Sequence, residues 1–377
     1  MIISKNPFYF KVLPLDYPFC NRTKELSDLV SYAKGKANVL VYSPRRYGKT
    51  SLIKRVQNEL AKKGAITIFA DFFGVSSVDD VASRLARSVY EVTQAKENLF
   101  KSAIKFLKTF RPVLKPDESG SVSLTVEPSS SKTSGMELLE ETMSSIGEFI
   151  SKTNSLFNIA LDEFQEIVEL KDAPKIEGIL RTHIQKHEAS YFFIGSRRHI
   201  LLGIFNDKQR PFFQSAINYK LNALPNDELV SFIIDMFAKG GKSCPQSSAE
   251  SIAKLVHEHP YYSQKLAFFI YETAGEEISE DNVKEGFRDL LGSEQPVFEA
   301  ILQGLAPQQI ALLKAVAEEQ TAAIFSINYM KNHRLGSTGG VQGAIKRLLA
   351  LDLVEKNDNS AWKVVDPIFA DYLIATN

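Results

Sequence analysis

Nine residues constrain this chain more than any others: Ser43-Pro44-Arg45-Arg46-Tyr47-Gly48-Lys49-Thr50-Ser51. They follow the apolar, β-prone run NVLVY and precede TSLIKRVQNELAKKG, whose apolar residues recur at helical spacing. Strand, glycine-containing loop and helix in that order, with GKT closing the loop, give the spacing of a phosphate-binding loop in which Ser43 takes the first glycine position. Backbone N–H groups and the positive end of the helix dipole would enclose an anion there, Lys49 would add a point charge, and Thr50 would present its hydroxyl to Mg²⁺. Serine is compatible with the turn if its φ stays negative, and Pro44 biases it toward extended backbone. The competing reading is a chance GKT with an exposed lysine; the flanking strand and helix weigh against it.

Four further β-prone runs follow: AITIFADFF from Ala65, LFNIALDEF, Ser190 to Ser196, and Ala216 to Leu224. Separated by helical segments, they predict an α/β fold with a parallel, doubly wound sheet and ligands at the strand C-termini. Between about 97 and 134 the pattern breaks into a basic stretch, KSAIKFLKTF, a hairpin signalled by KPDESG and the alternation of SVSLTV, and a serine-rich linker, which together read as an insertion. After Pro225 the strands stop. Helical periodicity continues to about Leu291, then three helical stretches lead into LVEKNDNSAWKVV, a hairpin turning at Asn357 to Ser360. The predicted domains are an α/β domain over 1–224, a helical domain over 225–291 and a winged-helix domain over 292–377.

The run LFNIALDEF delivers Asp162 and Glu163 to the sheet end that carries the phosphate loop. Their expected tasks differ: Asp162 holds Mg²⁺ through its water shell, and Glu163 orients and polarises water for in-line displacement at a γ-phosphate. The fourth strand ends at Ser196, read either as a donor to the γ-phosphate or attacking water or as an ordinary turn residue. Arg210, just before the fifth strand, is read either as an arginine finger reaching a neighbouring subunit's site or as a surface arginine.

Composition limits the alternatives. Forty-five Lys+Arg balance forty-five Asp+Glu, so no overall basic excess draws the chain to nucleic acid. Residues 291–377 hold seven Lys+Arg against nine Asp+Glu, a poor balance for DNA although Lys346, Arg347 and Lys356 could form a small basic face; a protein partner is at least as good a reading. Cys20 and Cys244 form neither a disulfide framework nor a zinc pattern, and neither a leader nor a membrane-spanning run is evident, so a reducing cytoplasm is the expected compartment and no membrane partner is expected. His183 and His187, four apart on a helix, lack a third metal ligand and read as exposed histidines. The stretch Lys101 to Lys108 reads as an amphipathic helix packed on the core rather than a membrane or partner surface.

Taken together, FCNRTKEL, SPRRYGKTSL, LDEF, IGSRRH and HPYYSQKLA resemble the archaeal-type ATPases of the STAND branch of AAA+ P-loop proteins. The resemblance spans nearly the whole chain. It implies ATP or ADP with Mg²⁺ as ligands, strand order 5-1-4-3-2, a helical lid and a C-terminal winged helix. It also implies that the phrase holding Phe19 and Arg22 helps enclose the adenine, that Arg45 and Arg46 belong to the phosphate loop, and that His259 and Pro260 lie in the lid near the base. Two departures stand out: Ser43 replaces a glycine, and the lid has no sensor arginine, Lys265 being the nearest cation. The implied activity is slow ATP hydrolysis by a switch that assembles with itself or with a protein partner; a DNA-binding loader or transposition-type ATPase, and a protein keeping nucleotide as a structural ligand, are the alternatives.

Overall fold

The computed structural model describes residues 6–15, 17–20, 22–116, 122–129 and 134–376. Nine strands are described: β1 Val39–Tyr42, β2 Ile66–Asp71, β3 Phe110–Pro116, β4 Val122–Pro128, β5 Phe157–Asp162, β6 Ser190–Gly195, β7 Ile217–Lys220, β8 Val354–Lys356 and β9 Trp362–Val364. Backbone packing divides the chain into two compact units, one built from residues 22–222 with 14–17, the other from 223–376 with 6–13 and 18–20.

In the first unit β2, β5, β6, β1 and β7 form one sheet in that order, all parallel. Numbering only these strands along the chain, this is the expected order 5-1-4-3-2. β1, β5 and β6 are buried along their whole length, as central strands covered by helices on both faces must be. The two edges differ: β2 alternates in exposure, and β7 is short and partly exposed. The fifth strand is therefore shorter than its apolar run, which ends in irregular backbone after Lys220.

The helix Lys49–Ala61 is anchored beneath the sheet by a buried polar chain. Gln57 Nε2 donates to Ile68 O (2.9 Å) and Asn158 Oδ1 (3.1 Å), and Asn158 Nδ2 donates to Ser190 Oγ (2.8 Å). Through these bonds Gln57 and Asn158 hold the helix and three strands in fixed register where apolar packing alone would allow sliding.

The insertion is a helix, Glu97–Phe106, followed by the β3–β4 hairpin. The helix buries Ala103 and packs on the Val78–Thr93 and Gly135–Lys152 helices, the amphipathic arrangement its sequence predicts. Tyr90 Oη donates to the carbonyls of Leu107 (3.0 Å) and Phe110 (2.8 Å), fixing the hairpin's base. The hairpin turn at 117–121 and the linker at 130–133 lie outside the described residues. The Gly135–Lys152 helix opens with a capping box between Ser134 and Glu137.

The second unit is helical as far as residue 350, and its hairpin β8–β9 turns at Asn357 to Ala361, matching the expected wing. Two features were not read from sequence. The helix Glu280–Gln303 runs through residue 291, where a domain boundary was expected, and a last helix, Pro367–Ala375, follows the wing under the cap of Asp366. Residues 6–13 also belong here: Asn6 Nδ2 donates to Phe268 O (3.1 Å), and the Phe8 ring lies edge-on to Phe237 at 4.6 Å. No helix among the described residues is long and apolar enough to cross a membrane.

Candidate functional site

The loop after β1 takes its shape from two positive-φ residues, Arg46 (66°) and Gly48 (84°). Ser43 is not among the positive-φ residues and is buried, so serine is accommodated in the first position without strain. Gly48 then caps the Lys49–Ala61 helix, whose free N–H groups face the loop. Lys49 is buried, and its Nζ donates to the loop's own carbonyls, Ser43 O at 2.9 Å and Pro44 O at 2.8 Å. Phosphate oxygens would replace these acceptors. Arg45 and Arg46 are exposed, Pro44 and Tyr47 half-buried, and Ser51 is buried in the helix's first turn.

Arg22 braces the loop from behind. Almost fully buried, it donates through Nη2 to Asn222 O (2.8 Å) and Tyr47 O (3.5 Å), and through Nη1 to Glu25 (2.9 Å). Within the first unit its observed contacts are with protein carbonyls and Glu25, a scaffold for the loop that its sequence context did not disclose.

β5 places the carboxylates. Thr50 Oγ1 donates to Asp162 Oδ2 at 2.8 Å, and the Glu163 N–H donates to Asp162 Oδ1 at 3.0 Å. Burial pushes the Asp162 carboxyl above the usual carboxylate range; the Thr50 bond opposes the shift, and the charges of Glu163 and of Asp71, its register partner on β2, add to it. A desolvated carboxylate hydrogen-bonded to a loop hydroxyl is a hard-oxygen donor set that fits Mg²⁺.

Glu163 itself has φ 49° and ψ 42°, the left-handed region, which costs a non-glycine residue about 1–3 kcal/mol. The turn is held on both sides, by β5 pairing before it and by Phe164 after it, whose buried ring meets Phe193 at 4.8 Å and Phe212 at 5.5 Å. Ser196 Oγ, at the end of β6, lies 3.4 Å from Glu163 Oε2, and Gln165 Nε2 donates to the same oxygen. Lys49, Thr50, Asp162, Glu163 and Ser196 thus converge at the C-terminal edge of one sheet. Gln165 joins them although sequence reading gave it no role; an amide between Phe164 and Ile167 carries no signal of its own.

Other expectations fare differently. The guanidinium of half-buried Arg210 makes a two-pronged pair with the fully buried Glu177, which needs that counter-ion. Lys265 pairs with buried Glu294 at 2.5 Å. His187 is not an exposed histidine; its Nδ1 lies 2.6 Å from the hydroxyl of buried Tyr191, and burial pushes its pKa down to about 4. No cluster of His, Cys, Asp and Glu that would hold a metal ion is present among the described residues. Phe19, His259 and Pro260 belong to the second unit, where Pro260 opens a helix capped by His259.

Comparison with known proteins places names on both units. Residues 19–197 match a family described as an ATPase domain predominantly from Archaea, and residues 296–375 match a probable winged helix domain. Among solved structures, the Walker-type ATPase PABY2304 of Pyrococcus abyssi is similar over 97% of this chain and 99% of its own, at 16% identity and TM-score 0.68. The ORC2 protein of Aeropyrum pernix, in ADPNP–ADP complexes, is similar over 96% of this chain and 95% of its own, at 16% identity and TM-score 0.58. The Aeropyrum pernix ORC1 protein, in complex with DNA, is similar over 97% and 95%, at 14% identity and TM-score 0.52. Identities this low speak for the fold. A search of curated proteins finds no match.

Proposed function

Starting from an ATPase domain at residues 19–197 joined to a winged-helix domain, we propose that this chain is a slow ATP-dependent switch of the STAND branch of AAA+ proteins. The observation that carries the reading is the Thr50–Asp162 bond at 2.8 Å, which ties the phosphate loop to the strand end that bears Glu163. With ATP in the loop, Lys49 exchanges its carbonyl acceptors for β- and γ-phosphate oxygens. Thr50 and Asp162 would hold Mg²⁺, which would supply charge neutralisation at the phosphates. Glu163 accepts the proton of a water whose oxygen attacks the γ-phosphorus as the bond to the β-phosphate oxygen breaks, giving ADP and phosphate. Ser196 steadies the carboxylate or the transferring group.

Slow turnover is supported by the fate of two cations. Arg210 and Lys265, which would otherwise offset transition-state charge, are committed to Glu177 and Glu294. Nucleotide state would then act chiefly by changing how the units, or copies of the chain, are arranged.

Two variants test the site. Lys49→Ala is expected to abolish ATP binding, and Glu163→Gln to keep it while slowing hydrolysis about 10²- to 10⁴-fold. Equal ATP affinity in wild type and Lys49→Ala would sink the assignment. For the switch, identical hydrodynamic size and scattering profile with ADP and with a non-hydrolysable ATP analogue would count decisively against it.

A DNA-binding role is favoured by one observation: Lys331, Arg334, Lys346 and Arg347 are all exposed around the helix pair Ile327–Asn332 and Thr338–Ala350. Duplex affinity that falls steeply with salt would support that role; none at low salt would remove it.

A further inference from the structure

We infer that Gln165 is a positioning residue for hydrolysis, holding the Glu163 carboxylate by one oxygen so that the other faces the reacting water. The inference rests on the role of Glu163 proposed above.

Gln165 is completely buried and is the second residue of the helical segment Phe164–Glu169 that follows Glu163. Its Nε2 donates to Glu163 Oε2, the oxygen that Ser196 Oγ also approaches at 3.4 Å. With Glu163 ionised, only the NH₂ of the amide can face that oxygen, since its carbonyl would meet like charge. One carboxylate oxygen is thereby taken by two donors, and Oε1 accepts no hydrogen bond from the described residues.

The amide is a poor choice for packing alone. Its Oε1 is buried with no hydrogen-bond partner among the described protein groups, a deficit that methionine or leucine at the same place would not incur. The fold also makes room for it: a Cβ on Gly195, the last residue of β6, would collide with Gln165 Oε1. Glycine there admits the amide, the amide grips Glu163, and the strained backbone of Glu163 is held in one conformation. A carboxylate so held needs no search for its productive rotamer, the kind of preorganisation whose loss costs rate rather than binding.

The test uses the full-length chain, single-turnover hydrolysis of labelled ATP, and a fluorescent ATP analogue to read binding. Gln165→Met removes the donor at similar volume, and Gly195→Ala evicts the amide without altering it. Both are expected to lower the hydrolysis rate about 10- to 100-fold with nucleotide affinity within about threefold of wild type. In a Glu163→Gln background, Gln165→Met is expected to add nothing further, because the group it positions is gone. Wild-type hydrolysis by Gln165→Met would overturn the inference, as would a rate loss matched by an equal loss of nucleotide affinity, or one that persists in full in the Glu163→Gln background. Should Glu163→Gln itself hydrolyse ATP like wild type, the role of Glu163 fails first and the positioning role falls with it.

Discussion

The helical unit and the phosphate loop both bury charge, and they treat it in opposite ways. In the helical unit the buried groups are closed against one another: Lys265 pairs with Glu294 at 2.5 Å, and Asp366 accepts from Tyr262 Oη (2.6 Å) and from the N–H groups of Ile368 (2.9 Å) and Phe369 (3.1 Å). Burial pushes the Asp366 carboxyl up, and those three donors pull it back. At the phosphate loop the balance is left open. Asp162 is desolvated, the groups acting on it are Thr50, Glu163 and Asp71, and none of these is a cation. Gln165 leaves one acceptor unmet, and Glu163 is strained. Charge that is closed within the chain holds a fold together, whereas charge left open is held for a ligand and weakens the fold that carries it.

The largest effect expected from this contrast is in the helical unit. Lys265→Ala strands the Glu294 carboxylate, at a cost of about 3–5 kcal/mol, while Lys265→Met with Glu294→Leu is expected to be neutral or stabilising. Trp362, the chain's one tryptophan, lies on β9 of this unit, so denaturant unfolding followed by its fluorescence reads the helical unit directly. Binding of nucleotide at the phosphate loop should be unchanged in native buffer. A Lys265→Ala variant as stable as wild type would mean that the pair is not closed as described.

Acid separates the units next. The folded-state pKa of His187 lies near 4, below the unfolded value, chiefly because burial disfavours its charge. Its contribution to stability is present above about pH 6.5 and is lost as pH falls from there toward 4, approaching about 3 kcal/mol. His257, in the helical unit, is shifted the other way by its hydrogen bond to Asp371 at 2.9 Å; its smaller contribution is full below about pH 6.5 and is lost as pH rises through the raised value. Lowering pH from 7 to 5 is therefore expected to weaken the first unit relative to the second, seen as amide protection factors, corrected for the pH dependence of intrinsic exchange, falling in β5 and β6 relative to the wing. A uniform change in protection would contradict the assignment, and His187→Gln should flatten the response.

Much of this arrangement is legible in the sequence because period and punctuation report it. Five apolar runs each followed by a helical pattern fix the sheet, GKT after a strand fixes the loop, and LDE at a strand end fixes the carboxylates. What resists reading is set by long-range packing. Arg210 is drawn inward by Glu177, thirty-three residues away, because a buried carboxylate needs a counter-ion, and nothing local in either sequence announces the pair. Gln165 acquires its role only once β6 brings Gly195 against it. The continuity of Glu280–Gln303 is hidden by Pro296, which usually ends a helix, and the last helix by its brevity.

The smallest effect is the sharpest test of open against closed charge. Asp162→Asn keeps the shape of the side chain. Its Oδ1 still accepts the Glu163 N–H, and its NH₂ can donate to Thr50 Oγ1 once that hydroxyl, donor to Oδ2 in the native chain, turns to accept. What is lost is a negative charge that burial and two neighbouring carboxylates disfavour. Without nucleotide or Mg²⁺ the variant is expected to be more stable than wild type, seen as a rise in melting temperature. In the presence of Mg²⁺ its ATP affinity should fall, because the substitution removes a ligand charge that the cation needs. Charge removal would then stabilise one unit and destabilise the other, as Lys265→Ala does. If Asp162→Asn instead melts below wild type by several degrees, Asp162 is a structural acceptor like Asp366, and the difference between the two regions disappears.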